Sequence, residues 1–513
     1  MPAMASSQRQ RTPISWLERR VGAVLSKCVL APDRLVYATP TELGLTARPL
    51  EVTDASGPGA VHFRGYEFLP AAAAAAPVVV LFPGISANLS AHLLYVEMAV
   101  RAGLRVIAFD YRGFGASNGT PSVAELLADA HRICDFALTR TEGPIGLFGV
   151  SLGANVALAI AADRPDDIGS VAIEGISDQR QLMEGILTSG LTGPRSVQRV
   201  YLEGVEHFDR ERLCVSRFRA PRLAARAVSR IAESTYPFAG KSPRSLLPSL
   251  HRVPLYVVHG IDDPVLPFEL SVDVFVSASD LGSRLWLIPA IGHAQEPALG
   301  ADAEYVAQLA RFFAASLGAS DSPVKTQQPT LETESSSVST TGNAAGRSLT
   351  VTLPPDAPPG AFLVGSLSDD TVELWRLWLD SGERVTRRLR NRPAATWALR
   401  VECATRRGSS WDSLLSPRSK LYRSHYRAPL AQLSSSLRRA NVTEAKAALQ
   451  GLLDLSPPDP FDLYLRIHAA RLASVARRRA PAIARWARAT FRDLGGGDGE
   501  GPDRDNGNRG HPS

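Results

Sequence analysis

Residues 145–153 read IGLFGVSLG, and this stretch decides the fold. Its first half is a continuous apolar run of the kind that forms a strand buried on both faces. Its second half is Gly149-Val150-Ser151-Leu152-Gly153, a G-x-S-x-G pentapeptide followed by a helical pattern from Ala154 onward. A strand that turns sharply into a helix puts its turn residue on strained backbone, and the neighbours two positions away have no room for side chains. The spacing predicts a nucleophile elbow with Ser151 at its tip. It also aims the Leu152 N–H, at the start of the helix, toward a developing oxyanion.

Outward from this stretch the chain alternates short apolar runs with helical patterns. The runs are VVVLF at 78–82, RVIAFD at 105–110, SVAIEG at 170–175, PLYVVHG at 254–260 and RLWLIP at 284–289. That rhythm predicts a mostly parallel central sheet flanked by helices. Residues 176–252 are far longer than one crossover helix requires and carry helical patterns with many arginines, so they are read as a helical lid over the carboxyl ends of the strands. The alanine tract at 71–76 is read as a loop without chemistry.

A serine hydroxyl needs a neutral imidazole to take its proton, and a carboxylate to fix the tautomer of that ring. In this topology both partners follow the serine at the ends of later strands, the acid first. His293 follows the 284–289 run after a short turn, and Asp262 and Asp263 follow the 254–260 run directly. Glu174, at the end of the 170–175 run, is a third carboxylate at the same sheet edge. Asp263 is preferred, with Asp262 and Glu174 as alternatives. The loop after the 78–82 strand, Phe82-Pro83-Gly84-Ile85, is positioned to supply a second oxyanion-hole donor from the N–H of Ile85.

These motifs resemble those of the α/β-hydrolase superfamily, and within it the esterase and serine-aminopeptidase-like hydrolases. The likeness is carried by FPGISAN (82–88), DYRGFGASNG (110–119), GVSLG (149–153), HGIDDPVLP (259–267) and the Gly-His pair at 292–293, and it covers about 35–315. The resemblance implies an α/β-hydrolase fold and a catalytic triad of Ser151, Asp263 and His293, since Asp263 matches the fifth residue of an HGxxD pattern. Relatives usually have His-Gly where this chain has Pro83-Gly84, a change that leaves a backbone donor in place. It further implies a serine esterase or thioesterase, with peptidase, amidase or acyltransferase chemistry as alternatives and no metal or organic cofactor. The expected substrate is a small-molecule or lipid-like acyl compound.

The remaining chain has no such likeness. Residues 1–34 are read as an amphipathic helical region, 316–349 as a polar disordered linker, 350–494 as a basic region of mixed α and β structure, and 495–513 as a disordered tail. The net charge of +6 is uneven, with arginine crowding 384–492. A basic arm of this kind could neutralise lipid headgroups or nucleic-acid phosphates, so a non-catalytic binding protein acting through this region is kept as an alternative function. A weak membrane-surface contact is retained as a partner expectation, nucleic acid is disfavoured, and oligomeric state is left open. The 4 cysteines lie far apart without metal-ligand spacing, and the chain opens on no signal-like apolar run. The expected location is cytoplasmic or peripheral to a membrane.

Overall fold

The computed structural model describes residues 32–176 except 58, 74–75, 86 and 122–124. It also describes 199–203, parts of 243–293 that include Asp263 and His293, 302–317, strands between 338 and 402, and 426–497 except 456–460. The amphipathic helix expected before residue 32 lies outside the described residues. The first strands, β1 (Ala47–Asp54) and β2 (Val61–Phe68), form an antiparallel pair. They are followed by β3 (Val78–Phe82), α1 (Leu93–Arg101), β4 (Arg105–Phe109), α2 (Leu126–Leu138) and β5 (Ile145–Val150). Next come α3 (Leu152–Asp163), β6 (Ile168–Glu174), β7 (Arg199–Glu203), β8 (Leu255–Gly260), β9 (Arg284–Ile288) and α4 (Asp302–Leu317).

Eight of these strands make one sheet in the order β1-β2-β4-β3-β5-β6-β8-β9, parallel from β4 to β9. Successive side chains of a strand point to opposite faces, so each central strand feeds two cores. Val80, Phe82, Leu147, Val171 and Val257 pack with Ile133, Val156 and Ile160 of α2 and α3. Val79, Leu81, Phe148, Ala172 and Tyr256 pack on the other face with Leu94 and Val96 of α1 and Tyr305 and Phe312 of α4. Because both faces are covered, β3, β5 and β8 are buried throughout, the physical origin of their unbroken apolar runs. Each fully buried Leu or Phe stabilises the fold by roughly 1.5–3 kcal/mol.

The structure departs from expectation in three places. The strands β10 (Val338–Asn343) and β11 (Gly346–Thr352) form a hairpin inside the stretch read as linker, so that reading extended too far. Ser and Thr side chains that cannot build a core still pair well across strands: Thr350 on β11 bonds Thr386 at 3.0 Å on β14 (Arg384–Leu389), once β12 (Gly360–Leu367) and β13 (Thr371–Leu379) have intervened. The insert read as a helical lid contains β7, which runs parallel to β13 at the edge of a sheet ordered β15-β12-β13-β7, where β15 spans Ala395–Glu402. Helical turns at Pro243–Leu246 and Leu247–Leu250 bury Leu246, Leu247 and Leu250 in the hydrolase core, and residues 177–198 and 204–242 of the proposed lid lie outside the described residues.

The third departure concerns α5 (Arg427–Arg438), α6 (Val442–Asp454), α7 (Phe461–Ala476) and α8 (Pro481–Asp493). Their buried Leu433, Leu449, Leu465, Leu472 and Phe491 join the same apolar cluster as Tyr37, Leu89 and Leu93. The segment read as the start of a disordered tail closes the contact, with Gly497 and Val36 exchanging backbone hydrogen bonds of 3.0 and 2.8 Å. No helix among the described residues is long and apolar enough to cross a membrane.

Candidate active site

Ser151 caps the junction of β5 and α3 with φ 55° and ψ −116°, backbone that an L-residue rarely adopts. Its neighbours make the turn possible. A Cβ at Gly153 would run into the carbonyl oxygen of Phe82, and one at Gly149 would run into the Gly153 carbonyl. The elbow is pinned from the adjacent strand by the Ser151 N–H, which donates to the Glu174 carbonyl at 2.8 Å.

Asp263 follows the end of β8 and His293 follows the end of β9. The Nε2 of His293 lies 3.0 Å from Ser151 Oγ, and its Nδ1 lies 2.7 Å from Asp263 Oδ2. An ionised carboxylate can only accept, so the proton sits on Nδ1 and leaves Nε2 free to accept from the serine hydroxyl. Asp263 is held by the Leu266 N–H at 2.9 Å and by His259 Nε2 at 3.2 Å, while His259 Nδ1 meets Ser271 Oγ at 2.7 Å. Burial pushes the Asp263 carboxyl up, but the two imidazoles more than offset it and hold it well below the usual carboxylate range. Burial pulls His293 down, yet the charge and hydrogen bond of Asp263 leave it above its ordinary value. Glu174 adds to that rise and Arg471 opposes it.

Of the candidate carboxylates, Asp263 is hydrogen-bonded to His293. Asp262 lies outside the described residues. Glu174 is buried and turned to the other side, where its oxygens accept from the hydroxyls of Tyr95 and Tyr305.

The loop carrying Ile85 lies against the serine: a Cβ at Gly84 would stand 3.3 Å from Ser151 Cβ. His92 braces this loop. Its Nε2 accepts from the Gly84 N–H at 3.0 Å and its Nδ1 donates to the Asn88 carbonyl at 2.9 Å. Burial lowers His92 to about 4, so it is neutral and able to play both roles. Leu152 is the first residue of α3, so no carbonyl one turn back receives its N–H. Neither His92 nor His259 stands out in the sequence. His259 carries a weak signal, four residues before Asp263 at the mouth of the same strand, whereas nothing local marks His92.

Parts of the chain are similar to known proteins. Residues 73–175 match the family model described as serine aminopeptidase, S33. The uncharacterized protein YfhR of Salmonella typhi is 26% identical over 264 residues, which are 50% of this chain and 77% of that protein. The lysophosphatidylserine lipase ABHD12 of Xenopus tropicalis is 28% identical over 177 residues, 34% of this chain and 39% of that one. Among solved structures, the esterase Pf2001 of Pyrococcus furiosus is matched over 98% of its length and 56% of this chain, with a TM-score of 0.41 and 17% identity.

Proposed function

We propose that the chain is a serine hydrolase of the α/β-hydrolase superfamily that cleaves a carboxylic ester or thioester through an acyl-enzyme on Ser151. The observation that carries this reading is the hydrogen-bonded line from Ser151 Oγ through His293 to Asp263, at 3.0 and 2.7 Å, mounted on a strained turn. His293 Nε2 takes the proton as Ser151 Oγ attacks the acyl carbon. The N–H groups of Ile85 and Leu152 receive the charge on the carbonyl oxygen, a contribution commonly worth about 10²–10³ in rate per donor. His293 then returns the proton to the departing alcohol or thiol, and a water activated by the same nitrogen releases the acid. Asp263 keeps the imidazole in the Nδ1–H form and stabilises the imidazolium.

An ester is favoured by the likeness to a protein named as a lipase, 28% identical over 177 residues. Amide cleavage is the second reading, supported by the aminopeptidase description of the family model. The same atoms would serve it, against a poorer leaving group.

Active-site labelling with a fluorophosphonate, on wild type and Ser151→Ala side by side, tests the assignment. Wild type should label and the variant should not, and a panel of acyl esters, thioesters and amides then ranks the leaving groups. A folded wild-type protein that takes no label, or a variant that takes as much, would overturn the proposal.

A further inference from the structure

Both ends of one peptide group in the loop after β3 are held by buried side chains. The Pro83 carbonyl accepts from the Tyr111 hydroxyl at 2.9 Å, and the Gly84 N–H donates to His92 Nε2 at 3.0 Å. That carbonyl and that N–H belong to a single planar unit, so the two contacts fix its tilt as well as its place. The holders come from different elements. Tyr111 follows β4 in the glycine-rich stretch 110–119, and His92 ends the helical turn Leu89–His92 that leads into α1. Both side chains are buried, and burial keeps the imidazole neutral and able to accept.

The two arms of this clamp are themselves tied together. Asp110, beside Tyr111, accepts from the Leu89 N–H at 2.8 Å and from the Ala116 N–H at 3.1 Å. The turn carrying His92 is thereby fastened to the stretch carrying Tyr111. From the other side, Asn88 Nδ2 donates at 2.6 Å to the Leu35 carbonyl, in the lead-in segment before β1.

The next peptide carries the Ile85 N–H. Only the φ and ψ of Gly84 separate it from the clamped peptide, and glycine restricts those angles least. A side chain at that position would crowd both neighbours, since a Cβ would stand 3.0 Å from His92 Nε2 and 3.3 Å from Ser151 Cβ. The loop thus needs glycine to approach the serine, and with glycine it needs an outside restraint to keep the Ile85 N–H on one heading. A donor lowers the barrier most when it is aimed before the charge forms.

We propose that Tyr111 and His92 are positioning residues of the oxyanion hole, clamping the Pro83–Gly84 peptide so that the Ile85 N–H is aimed at the carbonyl oxygen of the ester that Ser151 attacks. This rests on the acyl-hydrolase reading above. Each side chain acts through the loop backbone, and the glycine-rich stretch gains a role beyond turning the chain out of β4.

The test measures kcat and KM for 4-nitrophenyl butyrate, and Ki for a trifluoromethyl ketone of matching chain length. Ser151 Oγ adds to the carbonyl carbon of that ketone, its proton passing to His293, and the adduct sets an oxyanion in the hole without turnover. Tyr111→Phe removes the hydroxyl but keeps the ring that meets Phe114 edge-on. His92→Leu removes the acceptor, and His92→Gln returns an amide oxygen near the place of Nε2. Removing a whole donor commonly costs about 10²–10³ in rate, so a donor that is present but loosely aimed should cost about tenfold to a hundredfold in kcat. KM should stay unchanged, and Ki should rise by the same factor as kcat falls, in Tyr111→Phe and in His92→Leu alike. His92→Gln should recover most of the loss. Circular dichroism checks the fold of each variant, and Tyr111→Phe decides alone if His92→Leu does not fold. Unchanged kcat and Ki in folded Tyr111→Phe, or a rise in KM alone, would overturn the inference. Turnover that persists in Ser151→Ala would instead sink the acyl-hydrolase reading, and the role of the clamp with it.

Discussion

Asp263 is only 1% exposed and holds His293 from one side while His259 and the Leu266 N–H hold Asp263 from the other. Asp263→Asn keeps the size of the side chain but offers an amide N–H that can turn the imidazole to its Nε2–H form, with the proton facing Ser151. Such a change is expected to lower kcat/KM by about 10³–10⁴ with little change in KM. The pH profile carries a second signature. The reaction needs a neutral imidazole, and His293 is held above its ordinary 6.5, so activity should fall as pH drops through a midpoint above that value. In the variant, burial and Arg471 act without the carboxylate, and the midpoint of the residual activity should move down. Profiles of kcat/KM from pH 5 to 9 on both proteins decide this. A midpoint that stays in place would sink the assignment of Asp263 to His293.

At the scale of elements, the apolar runs that became β3, β4, β5, β6, β8 and β9 were legible because strands covered on both faces leave nothing to alternate. Ser151, His293 and Asp263 were legible for a related reason, each sitting at a strand end where the chain must turn. The β7–β13 pairing was not legible: residues 199–203 meet partners at 371–375, and no local pattern encodes so distant a neighbour. His92 escaped notice for the same reason, since its position against Gly84 follows from how separate elements pack. Helix α7 shows how such packing is felt in solution. Burial first, then the Arg471 charge, pushes His468 down to about 4 from 6.5. Between those values the unfolded chain binds a proton there and the folded one does not, so this residue makes stability fall as pH falls, by roughly 1.4 kcal/mol per unit. Replacing it with glutamine removes the titration. The drop in thermal midpoint from pH 7 to pH 5 should therefore be smaller for His468→Gln than for wild type, by circular dichroism; equal drops would mean that His468 is hydrated.

For the whole molecule, the C-terminal helices share one apolar cluster with the hydrolase sheet and its helices. A sequence pattern suggested a hydrolase domain that ends near 315 and a basic accessory region beyond it. The structure instead runs a single apolar cluster from Tyr37, Leu89 and Tyr305 into Leu433, Leu449, Leu465 and Phe491. The C-terminal helices cover apolar surface that the hydrolase domain alone would leave wet. Phe491 is 4% exposed and meets Tyr37 edge-on at a centroid distance of 5.7 Å. Phe491→Ala should cost about 3–5 kcal/mol, the usual range for an aromatic removed from a core. A chain ended after Leu317 removes α5 to α8 altogether and should bind a hydrophobic dye, associate, and melt well below the full-length protein. Both proteins should lose the lead-in contacts together with the C-terminal ones, because Arg466, Val36 and Gly497 bind the two across the same seam. Hydrogen exchange reads that coupling directly: in Phe491→Ala, amides of residues 35–38 should lose protection along with those of α8. Protection lost in α8 alone, or a truncated protein as stable as the full chain, would show that the C-terminal helices are docked too weakly to brace the lead-in segment.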